Sequence, residues 1–111
     1  MEFSEMRAAA RGVRQSYAAM EQRRYGRTWT PEEVMLGFLG DVGDLAKLVQ
    51  GKAGARPTAD LDDKVAHELA DCLWSVMTLA ELYGVDLEQS FSNTMRHLSN
   101  YLRQGEEGDV S

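Results

Sequence analysis

Two four-residue segments, Asp41-Val42-Gly43-Asp44 and Glu68-Leu69-Ala70-Asp71, share one pattern: acid, apolar, small, acid. Each lies in an otherwise apolar run, with Leu45 and Val49 following the first and Cys72, Leu73 and Val76 following the second. Residues three apart share a helix face, so each segment aims two carboxylates in one direction. At about 100° per residue, both pairs fall at the edge of their helix's apolar stripe. Carboxylates bordering a core repel one another and lose solvation unless positive charge sits among them. The arrangement that satisfies both segments sets two helices side by side, with Asp41, Asp44, Glu68 and Asp71 around a divalent cation. Glu2/Glu5, Asp60/Asp63 and Glu106/Asp109 repeat the spacing in polar or terminal surroundings, where water carries the charge.

The remaining sequence reads as four helices. Phe3, Met6, Ala10, Val13, Tyr17 and Met20 recur at spacings of three and four, which predicts a helix from Glu2 to Arg24 with one apolar seam. Its other face, with Arg7, Arg11, Arg14, Gln15 and Glu21, reads as solvated surface. Thr30-Pro31-Glu32-Glu33 is a helix start, with threonine at the N-cap, proline in the first turn and glutamate completing a capping box. That second helix runs to about Gln50 and stops in the loop from Gly51 to Pro57. Gly37, Gly40 and Gly43 cost it about 0.8–1 kcal/mol each relative to alanine. Their expected use is close approach of another helix or a ligand, placing this helix at the centre. A third helix spans Asp60 to Tyr83 and stops at Gly84. The fourth begins with an expected capping box, Asp86 with Gln89, carries Leu87, Phe91, Met95, Leu98 and Leu102 on one face, and ends near Gln104. Residues 1–104 then form one domain, and 105–111 an acidic, disordered tail. With no strand-like alternation, the fold class is all-α, a four-helix bundle.

A chain of 111 residues buries only a modest core alone, so self-association is expected to complete it. The net charge of −6 argues against binding nucleic acid or an anionic membrane through bulk electrostatics. The single cysteine, Cys72, excludes an internal disulfide and reads as a small buried hydrophobe. No apolar run reaches membrane-spanning length and no signal-peptide pattern is present, so a cytoplasmic location is the default expectation. His67 and His97 share no metal-binding spacing. Lys47, three residues after Asp44, reads as an intrahelical ion-pair partner. Trp74 lies off the stripe centre and reads as interface or core.

Leu39-Gly40-Asp41-Val42-Gly43-Asp44-Leu45-Ala46, then Glu68-Leu69-Ala70-Asp71, then the turn Gly84-Val85-Asp86-Leu87, resembles the MazG-type all-α nucleotide pyrophosphohydrolases over about Trp29 to Leu102. The Gly40-Asp41 opening resembles the dCTP-pyrophosphatase-like branch. The resemblance implies hydrolysis of a nucleoside triphosphate between its α- and β-phosphates, in the house-cleaning of nucleotide pools. It implies Mg²⁺, with Mn²⁺ as a substitute, on Asp41, Asp44, Glu68 and Asp71, and a homodimer or homotetramer. Both first-motif acids are aspartates where the family usually has glutamates, so the helices must lie closer or the metal must shift. The family's last helix usually carries a lysine and, four residues on, an asparagine for the phosphates; Thr94 and Leu98 stand there. Asn93 and Arg96 are the neighbouring candidates for substrate contact, and Trp29 is a candidate to stack on the base or to pack on its own helix. A bundle that keeps the metal acids but serves as a nucleotide-binding or protein-interaction module is the alternative function. The similar phosphoribosyl-ATP pyrophosphohydrolases match the Gly-Asp-Val-Gly-Asp run and the tryptophans less well.

Overall fold

A computed structural model describes residues 1–54 and 59–110, the last four by backbone alone. It contains four helices and, among the described residues, no strand: α1 (Phe3–Tyr25), α2 (Pro31–Lys52), α3 (Leu61–Leu82) and α4 (Leu87–Val110). The local signals act as expected at two boundaries and in part at a third. Thr30 Oγ1 accepts the Glu33 N–H at 3.2 Å while Glu33 Oε1 accepts the Thr30 N–H at 3.2 Å, a complete capping box. Arg27 adds two hydrogen bonds to the Glu33 carboxylate. That guanidinium, with the Thr30 N–H, lowers the Glu33 carboxyl to about 2.

Gly84 closes α3 at φ 65°. Its N–H donates to the Glu81 carbonyl at 3.2 Å, and the Val85 N–H donates to the Ala80 carbonyl at 2.8 Å, the paired bonds of a Schellman stop. At α4 the expected capping box is half made. Asp86 accepts the Gln89 N–H at 3.1 Å, but the Gln89 amide turns forward to donate to Asn93 at 2.9 Å.

α2 continues to Lys52, beyond the expected Gln50, and Gly54 turns the chain at φ 88°. Ala55 to Pro57 of the expected loop lie outside the described residues. α4 continues to Val110 through the segment read as a tail. Gly105 and Gly108 weaken a helix there without forbidding it, and Ser111 lies outside the described residues.

The central element is α3, not α2. It packs extensively against α2 and also contacts α1. The Trp74 indole N–H donates to the Ala10 carbonyl at 3.2 Å, and its ring stands 5.7 Å from Tyr17, so Trp74 belongs to the α1–α3 joint. Arg11 donates to Glu81 at 2.9 Å at the far end of that joint. Gly40 and Gly43 face open space, and only Gly37 has a close neighbour, the Trp29 indole. Among the described residues, no close helix approach uses those two glycines.

Two residues read as solvated surface are in fact a clasp. Glu21 is the most buried side chain described, 2 % exposed. It takes both guanidinium nitrogens of Arg14 at 2.9 and 3.0 Å and the Trp29 N–H at 2.7 Å. This ties the end of α1 to the start of α2.

The buried apolar core is small, with Val34 and Met77 its fully buried members among the described residues. Among the described residues, α4 shares no extended interface with α1–α3 and leaves Phe91 63 % and Leu102 64 % exposed. The radius of gyration is accordingly 18.3 Å, against about 13 Å for a compact domain of this length. Among the described residues, no helix is long and apolar enough to cross a membrane.

Candidate metal centre

Packing α2 along α3 brings the two acid segments face to face. One carboxylate oxygen each from Asp41, Asp44 and Glu68 lies within 4.8 Å of the other two. Glu68, with Asp71 and His67, forms a second group of the same tightness. The four acids predicted from the sequence thus form two triads that share Glu68. His67, which no spacing had pointed to, joins through its Nε2, 3.1 Å from Asp71 Oδ2.

The electrostatics are those of like charges crowded at the edge of a core. Partial burial, followed by repulsion from Asp71 and Asp44, raises the Asp41 carboxyl above its ordinary 3.8. Burial, then Asp41, Asp71 and Asp44, raises Glu68 above 4.5. Glu68 Oε2 is buried and accepts no hydrogen bond. An orphaned carboxylate oxygen among other carboxylates fits a hard divalent cation, and the all-oxygen donor set of Asp41, Asp44 and Glu68 suits Mg²⁺, which keeps positions for water and phosphate. Burial and the same acids raise the neighbouring Cys72 thiol, so it is an unreactive one.

The raised carboxyls set a pH dependence. A carboxyl whose folded value lies above its unfolded one favours folding when protonated, and that contribution is lost as pH rises through the folded value. Without metal, Asp41 and Glu68 therefore oppose folding at neutral pH. A divalent cation relieves this opposition but competes with protons at lower pH. Addition of Mg²⁺ is expected to raise the melting temperature more at neutral pH than near the ordinary values of 3.8 and 4.5. Differential scanning fluorimetry at the two pH values checks it, and an equal shift at both would contradict the assignment.

A cavity of about 440 Å³ opens beside the acids, walled by Asp44, Lys47, Asp63, Lys64, His67 and Glu68. Lys47, read as an ion-pair partner of Asp44, makes no ion pair among the described residues. Lys64 was missed, although it stands one turn before Glu68 on the same helix face. At the opposite end of the acids, the Trp29 indole lies over Gly37, 3.9 Å from where a Cβ would stand. Asn93 and Arg96 are on α4, which contributes no residue to the cavity or to either acidic triad.

Residues 29–101 match the family model of the MazG nucleotide pyrophosphohydrolase domain. The chain belongs to this family. The matched span of the MazG domain begins at the tryptophan before α2 and includes both acidic segments. No curated protein and no solved structure gives a significant match to the chain.

Proposed function

We propose that this MazG protein is a Mg²⁺-dependent nucleoside triphosphate pyrophosphohydrolase, releasing a nucleoside monophosphate and pyrophosphate in nucleotide-pool house-cleaning. The observation that carries this reading is the convergence of Asp41, Asp44 and Glu68 around an unpartnered buried carboxylate oxygen. Asp41, Asp44, Glu68 and Asp71 would hold the metal, with Mn²⁺ as a substitute. When bound, Mg²⁺ neutralises the triphosphate and polarises it for attack.

Water's oxygen bonds to the α-phosphorus, and the bond from that phosphorus to the oxygen bridging to the β-phosphate breaks. The electron pair leaves with pyrophosphate, and a carboxylate of the centre takes water's proton. The Trp29 indole, 44 % exposed beside the start of α2, is placed to stack on a base. The uncovered apolar faces of α4 and α1 favour a homodimer or homotetramer.

The test is pyrophosphate release from a panel of ribo- and deoxyribonucleoside triphosphates with Mg²⁺ or Mn²⁺. Metal-dependent release from at least one member supports the reading, and silence across the panel contradicts it. A second reading draws on α4, which leaves Thr94 and Leu98 outside the cavity: a metal-holding bundle that binds a nucleotide or a protein without turnover. Metal binding at the acids with no turnover would select it.

A further inference from the structure

Two of the four acids, Asp44 and Glu68, line the cavity together with Lys47 and Lys64. Asp44 and Glu68 belong both to the acidic centre and to the cavity lining, so a ligand of a cation held there would reach this cavity. One turn beyond Asp44 on α2 stands Lys47, and one turn before Glu68 on α3 stands Lys64. The opposed helices bring both lysines to the same end of the cavity. Neither has a carboxylate within ion-pairing distance among the described residues, whereas Lys52 just beyond is tied to Asp62. With the acids engaged by a cation, the two lysines outnumber Asp63, the remaining carboxylate of the wall. Two ammonium groups beside a metal centre suit an anion that the metal also binds.

The same residues give the groove a direction. Trp29 covers Gly37 at one end of α2's acid segment, and Lys47 lies at the other. Gly37 and Lys47 are about 15 Å apart at 1.5 Å per residue, a span on the scale of an extended nucleoside triphosphate. Resting on the reading of this centre as a triphosphate site, we propose that Lys47 and Lys64 clamp the terminal phosphates of the substrate. The base then lies toward Trp29, and the pyrophosphate leaving group lies at the lysines. Lys47 and Lys64 then act as substrate-binding residues and take no part in holding the metal.

The test uses the full chain and inorganic tripolyphosphate with Mg²⁺, followed by isothermal titration calorimetry. Wild type is expected to bind. Lys47→Ala and Lys64→Ala are each expected to weaken binding by about tenfold, the scale of one lost charge-assisted hydrogen bond. Lys→Arg variants retain most of it, and Mn²⁺ binding to the alanine variants without tripolyphosphate is no weaker than to wild type, since a repelling positive charge has been removed. Arg23→Ala, which removes an equal charge from the exposed face of α1, is the control for bulk electrostatics and is expected to bind as wild type.

The proposal is overturned if wild type does not bind tripolyphosphate, or if the alanine variants bind like wild type or like a weakened Arg23→Ala. Pyrophosphate release is measured on the same proteins. Turnover with lysine-independent binding overturns the clamp and leaves the enzyme standing. Lysine-dependent binding with no turnover of any nucleotide does the reverse.

Discussion

Replacing Glu68 with glutamine is expected to lower pyrophosphate release by on the order of 10³-fold, within the range for loss of a catalytic carboxylate. Glutamine keeps the volume and one oxygen but removes the charge shared by both triads. Stability should move the other way. The Glu68 carboxyl is raised in the fold, so its ionised form opposes folding at neutral pH. The neutral amide removes that opposition and lessens the repulsion on Asp41. The metal-free variant should therefore melt at or above the wild-type temperature while losing most of the Mg²⁺-dependent shift. Lost activity with a lower melting temperature would instead point to damaged packing. Unchanged activity would make Glu68 an ordinary surface acid.

The second large effect is on stability. Glu21→Ala leaves the Arg14 guanidinium, whose side chain is 14 % exposed, without its partner, and strips the Trp29 N–H of its acceptor. Breaking a buried pair from one side costs about 3–5 kcal/mol, a large share of the roughly 5–15 kcal/mol that holds a domain. Chemical denaturation should show a loss of about 3 kcal/mol, near the low end because Arg14 reaches some solvent. The double change Glu21→Leu with Arg14→Met should recover most of it, since no buried charge is then stranded. In wild type, Arg14 lowers the Glu21 carboxyl below its ordinary 4.5. The clasp's contribution is therefore present above pH 4.5 and lost as pH falls through the folded value. A single variant within about 0.5 kcal/mol of wild type, the range of an indifferent surface change, would refute the clasp.

These two residues mark what was and was not legible in the sequence. Glu68 stands in a repeated pattern, and like charge beside apolar neighbours carries its own physical implication. Glu21 and Arg14 sit seven apart on a polar helix face, a spacing that many solvated pairs share. Only the fold, by turning the chain back at Gly26 and setting the Trp29 N–H against Glu21, distinguishes them. Helix ends were legible wherever short-range chemistry decides them, as at Thr30 with Glu33 and at Gly84 with Val85.

Longer-range choices were not. The glycines of α2 implied a central helix, but Trp74, hydrogen-bonded to Ala10 and packed by Tyr17, makes α3 the element that touches both neighbours. The apolar face of α4 was plain from its spacing; that α1–α3 would leave it uncovered was not, because periodicity names a buried face without naming its partner. Lys64 was overlooked for a related reason. Its position relative to Glu68 is local, but its meeting with Lys47 at one end of a cavity depends on how α2 and α3 are paired.

Hydrolysis of a nucleoside triphosphate between the α- and β-phosphates at the acidic centre would leave a product pair that phosphorus NMR resolves, after incubation with Mg²⁺ and a triphosphate that turns over. Equal amounts of nucleoside monophosphate and pyrophosphate, with no nucleoside diphosphate, are expected. Nucleoside diphosphate with orthophosphate, or no product with any triphosphate tried, would contradict hydrolysis at that bond.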